Sequence, residues 1–337
     1  MLHNEENMKP EISIVVPVYK VEKFVKDSIC SILNQSFTDF EIICINDGSP
    51  DNSLSILEQL AKEDTRIKII SQKNQGVSAA RNAALDMVSG EYVAFLDPDD
   101  IMHPQFLEIM LSEMKSNEAD VVCCGFKKIS ENEKVINPPV YENITAKKFK
   151  NHLLSFALRK KPRPNNSLWN KIYKTSVIKS IRFEKDLKVA EDMLFILRTL
   201  INAEKVFYIK TPLIYYRIRE NSITHFKLTE AYIDSHILAA KMGLQLITSN
   251  SVSDKVRKKL MTFLQKIVFK SCVVLPNQKL SADDKMVYWE KYQKVLLSLL
   301  KDNVYQPKCL DLYRRFCSFL FIKKAFRLLN IVLKKKC

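Results

Sequence analysis

The chain has 337 residues, 47% of them apolar and 27% charged, with 53 Lys and Arg against 38 Asp and Glu for a formal net charge of +15. That balance excludes a disordered or fibrous chain and is long enough to bury a sizeable core. The positive excess calls for an anionic partner, whether a nucleic acid, a phosphorylated small molecule or an acidic membrane surface.

Residues 12–16, Ile-Ser-Ile-Val-Val, are apolar and rich in β-branched side chains and run into Pro17, which predicts a strand buried on both faces. Val21, Val25, Ile29 and Ile32 or Leu33 follow at helical spacing. A second apolar run, residues 40–45, closes on Asn46-Asp47-Gly48-Ser49. The alternation continues: Leu54, Leu57, Leu60 and Ala61 make a helical stripe, 67–70 a strand, 77–87 a helix, 92–96 a strand and 104–115 a helix. It predicts an α/β fold with a mainly parallel sheet. Past residue 125 the strand signal fades, and the polar stretch 130–141 reads as a surface excursion. An apolar helical run occupies 193–200, and from 228 onward the chain reads as helical, with 231–242 and 255–272 free of Gly and Pro. A boundary near 226–232 divides it into domains 1–228 and 229–337.

In open α/β sheets the ligand crevice lies beyond the carboxyl ends of the strands. Those ends are polar here, and Asp47, Asp97, Asp99 and Asp100 should gather along one edge. The five glycines, at 48, 76, 90, 125 and 243, cannot form G-x-G-x-x-G or a P-loop. A diphosphate bound without such a loop needs another positive charge, and a divalent cation on the carboxylates of Asp97-Pro98-Asp99-Asp100 would supply it. The same cluster is also consistent with a solvated turn capping the next helix.

Five segments in order carry a family resemblance: Val15-Val16-Pro17-Val18-Tyr19, Ser31-Ile32-Leu33-Asn34-Gln35-Ser36, Ile45-Asn46-Asp47-Gly48-Ser49, Asn74-Gln75-Gly76-Val77-Ser78-Ala79-Ala80-Arg81-Asn82 and Phe95-Leu96-Asp97-Pro98-Asp99-Asp100. Together with Leu168-Trp169-Asn170-Lys171, Glu191-Asp192 and Tyr215-Tyr216-Arg217, they closely resemble family 2 glycosyltransferases over about residues 11–226. The resemblance implies a GT-A fold (Rossmann-like, with a nucleotide-sugar domain), a nucleotide diphosphate sugar donor, usually UDP-linked, a Mn²⁺ or Mg²⁺ ion, and inversion at the anomeric carbon. It implies that Pro17 and Tyr19 line the base with Glu22 nearby, that Asp47 bonds uracil or ribose, and that Arg81 contacts the base. Asp97 is then expected on ribose or metal and Asp99 on the metal. Asp192 is the candidate base, although an acidic pair opening a helix is also favoured by the helix dipole. Glu191 and Trp169 are candidates for the acceptor side, although core packing is the better reading of Trp169. Arg217 and Arg219 are expected at the donor phosphates, and His225 is a weak candidate ligand.

The expected partners are the nucleotide sugar and a glycan or lipid-linked acceptor receiving a single sugar in cell-surface polysaccharide or lipid-linked glycan assembly. Residues 312–337 carry eight basic residues and no acid; as a helix they place Phe321, Ala325, Leu328 and Val332 on one face, which suits an anionic membrane surface. Residues 1–10 lack the apolar core of a secretory signal, and no apolar run reaches the ~18–20 residues of a spanning helix. Eight cysteines without C-x-x-C spacing read as reduced thiols. A cytoplasmic protein, peripheral at the inner face of the plasma membrane, is expected. Nucleic acid is not, since the basic residues fall on no recognisable reading helix. The alternative is a noncatalytic relative that binds nucleotide sugar as a scaffold.

Overall fold

The computed structural model describes residues 9–142, 144–149, 151–158, 165–219, 229–274, 281–301, 317–318 and 321–322. The tail 312–337, apart from four of its residues, lies outside them, as does His225. In chain order the elements are β1 (Ile12–Val18), α1 (Val25–Leu33), β2 (Phe40–Asn46), α2 (Ser53–Glu63), β3 (Ile67–Ser71), α3 (Val77–Leu85), β4 (Tyr92–Phe95), β5 (Ile101–Met102) and α4 (Phe106–Ser116). There follow β6 (Val121–Ile129), β7 (Lys147–Lys148), α5 (His152–Leu158), β8 (Lys171–Lys174), α6 (Thr175–Ile178), α7 (Glu191–Asn202), β9 (Val206–Arg217), α8 (Glu230–Ser249), α9 (Asp254–Phe269) and α10 (Ala282–Lys301).

Nine strands form one sheet in the order β3-β2-β1-β4-β8-β6-β9-β5, with β7 paired to β9. β1 is parallel to β2 and β4, and β2 to β3. β8 is antiparallel to both β4 and β6, so those two run the same way, and β6 is parallel to β9. One insertion of reversed sense thereby delivers the carboxyl ends of β1, β2, β4, β6 and β9 to a single sheet edge. All seven residues of β1 and of β2 are buried, as the unbroken β-branched runs require of a strand covered on both faces. Fully burying each such Ile or Val contributes roughly 1.5–3 kcal/mol. α1 lays Val25, Ile29 and Ile32 against that core, while Val21 is buried in the turn that precedes it.

The strands after residue 125 correct the sequence expectation. β6 continues to Ile129 although Phe126, Lys127 and Lys128 are exposed, and β9 runs twelve residues through Lys210-Thr211-Pro212. Neither has a clean period, because their register shifts around Gly125, where an added Cβ would strike the Lys210 carbonyl.

The chain groups into two compact units: Met1–His152 with Lys161–Lys185 and Arg198–Ser222, and Leu153–Lys160 with Asp186–Leu197 and Ile223–Cys337. The first holds the sheet. In the second, Gly243 of α8 abuts Leu264 of α9, Phe156 meets Phe263 edge-on at 5.3 Å, and the Tyr292 hydroxyl donates to Asp234 Oδ1 at 3.2 Å. Among the described residues six cysteines are free thiols, and no helix is long and apolar enough to cross a membrane.

Candidate active site

The loops at the carboxyl ends of β1, β2 and β3 are tied to one another by polar side chains. Asp47, 3% exposed, accepts from the backbone N–H groups of Gln75 at 2.9 Å and Gly76 at 2.8 Å, and from Gln72 Nε2 at 2.7 Å. Two glycines make this approach possible: Gly48, at φ 67°, would carry a Cβ 2.9 Å from the Asn74 nitrogen, and Gly76 opens α3 at φ 89°. The carboxylate expected to meet uracil or ribose is thus occupied in fixing the 72–76 loop. Pro17 is buried within β1, and Tyr19, 41% exposed, has the Lys20 ammonium 5.2 Å from its ring centroid. Glu22 accepts from the backbone and side-chain amides of Asn52, both at 3.0 Å, and so ties the β1 exit to the start of α2.

The acidic turn leaves β4 at the same edge. Asp97 Oδ1 accepts from Arg81 Nη2 at 3.0 Å; Arg81 is 4% exposed and lies over the Phe183 ring. Arg219 Nε is 2.7 Å from Asp99 Oδ2. Asp100 is fully buried; its Oδ1 accepts from the Arg217 backbone N–H at 2.9 Å, and its Oδ2 meets no hydrogen-bond donor among the described residues. Burial and the neighbouring Asp97 charge push Asp99 up to about 6, against the pull of Arg219 and Arg217. Burial, then Asp99 and Asp97, push Asp100 well above the carboxylate range. The guanidinium groups of Arg217 and Arg219 both stand 5.5 Å from the Phe24 ring centroid.

Arg217, expected at the donor phosphates, is bound to backbone carbonyls. It is 4% exposed; Nε donates to the Asp99 carbonyl at 3.0 Å, and Nη1 to the carbonyls of Glu131 at 2.6 Å and Glu133 at 3.1 Å. Its donors pin the 130–133 segment to the acidic turn, and Arg219 is the cation set against a carboxylate. The far end of the excursion is held by His103, whose Nε2 contacts the Pro139 carbonyl at 2.9 Å, and by Gln105, which exchanges two hydrogen bonds with the Tyr141 backbone. Trp169, 6% exposed, stacks on Tyr216 and is packed as core. Glu191 and Asp192 form the acidic first turn of α7 and belong to the second unit; Ala190 just before them is held at φ 68°. Phe24, Phe183 and Gln72 escaped sequence reasoning, since aromatic residues under arginines and a lone amide carry no local pattern.

The acidic turn fits a divalent cation. It offers hard oxygen donors on Asp97 and Asp99 and one buried Asp100 oxygen that meets no hydrogen-bond donor among the described residues. Among the described residues no three His, Cys, Asp or Glu side chains form a closed cage. A Mg²⁺-type ion needs none, because it is held by one or two carboxylates with substrate phosphates and water.

This arrangement has counterparts. The glycosyl transferase family 2 model matches residues 13–183. EpsH of Bacillus subtilis (strain 168), named as a glycosyltransferase, is 31% identical over 302 residues, 88% of this chain and 85% of its own length. EpsJ of the same organism, also named as a glycosyltransferase, is 35% identical over 234 residues, 68% of this chain and 67% of its own. The crystal structure of S. aureus TarS 1-349 in complex with UDP-GlcNAc superposes with a TM-score of 0.75 at 21% identity, covering 96% of this chain and 90% of that one, which shows a shared GT-A fold. With its family motifs matched in sequence and its sheet in architecture, the chain is a glycosyltransferase belonging to glycosyl transferase family 2.

Proposed function

We propose that the protein moves a single sugar from a UDP-linked donor to an acceptor hydroxyl, with inversion, in the assembly of a cell-surface polysaccharide or a lipid-linked glycan. The observation that carries this is the acidic turn: three carboxylates at the sheet edge, with Arg81 against Asp97 and Arg219 against Asp99. The UDP-GlcNAc complex of TarS, the same fold, supports a UDP-linked donor. Asp97 and Asp99 would hold Mn²⁺ or Mg²⁺, which when bound supplies positive charge to the donor diphosphate. Tyr19 and Arg81 border the nucleoside, the 72–76 loop is kept in place for it by Asp47, and Arg219 is released from Asp99 toward the diphosphate.

In the transfer the acceptor oxygen forms a bond to the anomeric carbon as the bond from that carbon to the diphosphate oxygen breaks. The acceptor proton passes to Asp192, and UDP departs with the electron pair. The basic tail, 312–337, would hold the enzyme at an anionic inner membrane face.

UDP release from a panel of UDP-sugars, with Mn²⁺ or Mg²⁺, tests this. Turnover should disappear in Asp99→Ala, in Asp192→Asn and in excess EDTA. UDP binding without turnover of any donor, insensitive to EDTA, would instead leave a nucleotide-binding scaffold.

A further inference from the structure

The aromatic face at the carboxyl ends of β6 and β9 plays no part in donor binding as described above. Parallel pairing sets Phe126 opposite Ile214 and Lys128 opposite Tyr216. Strand alternation turns these four side chains to one face, and Lys127, Tyr215 and Arg217 to the other. Trp169 completes the first face: its ring stacks on Tyr216 at 5.3 Å and 14°, and meets Phe126 edge-on at 5.0 Å and 89°. Trp169 is 6% exposed, but Phe126 is 40% exposed and Lys128 is exposed beside it.

Position gives this cluster its meaning. β8 is antiparallel to β4 with Ala94 opposite Ile172, so Trp169 passes the end of the sheet at which Asp97 leaves it. Phe126 is therefore an open aromatic ring fixed from behind by two others, at the sheet edge that carries the acidic turn. A scattered surface apolar residue needs no explanation. A rigid, backed ring next to a lysine, on the edge where sugars are transferred, presents what a pyranose requires: a flat apolar surface for its axial C–H bonds and a cation for an anionic substituent.

We propose that Phe126 is the floor of an acceptor subsite that takes a pyranose ring, with Lys128 beside it for a phosphate carried by the acceptor. The subsite rests on the donor lying at the acidic edge and deepens that reading by naming the acceptor class: a phosphorylated glycoside rather than a bare alcohol.

The test is saturation-transfer NMR on the full chain with saturating UDP and Mg²⁺, so that the donor site is filled. The probes are the methyl glycosides of glucose, galactose, N-acetylglucosamine and N-acetylgalactosamine, and methyl glucoside 6-phosphate. Ring protons of at least one probe should receive saturation, Phe126→Ala should weaken that binding roughly tenfold, and Phe126→Tyr should preserve it. Lys128→Gln should remove the preference for the phosphorylated probe and leave the neutral glucoside unchanged. Saturation of no probe, or unchanged binding in Phe126→Ala, overturns the subsite. UDP affinity, measured by calorimetry on the same samples, separates the two readings: UDP bound without any probe removes only the subsite, and probes bound at Phe126 without UDP remove only the donor reading.

Discussion

Arg219 Nε stands 2.7 Å from Asp99 Oδ2 in a turn where three carboxylates fall within four residues. Burial and the neighbouring Asp97 charge disfavour the ionised Asp99 carboxylate in spite of that arginine, a state that costs folding free energy and suits cation binding. Asp99→Asn should therefore divide the two properties. In EDTA the variant is expected to unfold about 2–4 °C higher by calorimetry, corresponding to about 1 kcal/mol, while its UDP-sugar turnover falls at least a hundredfold. A variant both less stable and inactive would mean that Asp99 is a structural partner of Arg219 first.

Asp47 supports the 72–76 loop through charge-assisted hydrogen bonds to two backbone N–H groups, each worth about 1.5–3 kcal/mol. Asp47→Ala should raise the Kd for UDP more than tenfold. It should also speed amide exchange at Gln75 and Gly76, with the exchange of β1 unaltered. Protected amides at those two positions would show that the loop holds itself.

Glu41 contributes to the pH dependence of the fold. Burial would raise its pKa, but hydrogen bonds from Lys68, Ser13 and Ser89 outweigh it and hold the carboxyl below its usual 4.5. The folded pKa is the depressed one, so this contribution is complete above about 4.5 and is lost as pH falls through the lower folded value. Glu41→Gln should destabilise by about 1–3 kcal/mol at pH 7 and by much less near pH 3, so the stability profiles should converge on the acid side. Parallel profiles in urea titrations across that range would refute it.

Ala190 holds a left-handed backbone, at φ 68°, directly before the acidic pair that opens α7. A Cβ in that region costs about 1 kcal/mol, partly offset by the greater entropy that glycine loses on folding. Ala190→Gly should stabilise by about 0.5 kcal/mol, and Ala190→Val should destabilise by more than that. Chemical denaturation of the three proteins decides, and a destabilising glycine would mean that the Cβ makes a contact outweighing the strain.

The first four strands and the acidic edge were legible because short unbroken apolar runs alternate cleanly with stripes of period 3.6 between residues 12 and 96, and because Asp97-Pro98-Asp99-Asp100 is dense in one chemistry. β6 and β9 were not, since Lys127, Lys128, Lys210 and Pro212 break any apolar period while the strands still pair across a register shift. The commitment of Arg217 was hidden for a different reason. Its partners are the carbonyls of Asp99, Glu131 and Glu133, and a backbone acceptor leaves no trace in residue identity. The second unit gathers Leu153–Lys160 and Asp186–Leu197 with the C-terminal residues, a grouping made by contacts distant in sequence that no window of local pattern contains.

The excursion of residues 130–141 is stapled at one end by Arg217 and at the other by His103 and Gln105, with Ile136 74% exposed between them. A segment clamped at both feet, with an exposed apolar residue between them, is a natural graft site. A foreign peptide spliced into residues 134–138 would inherit those fixed anchors, so a reporter or affinity tag could be carried beside the acidic turn.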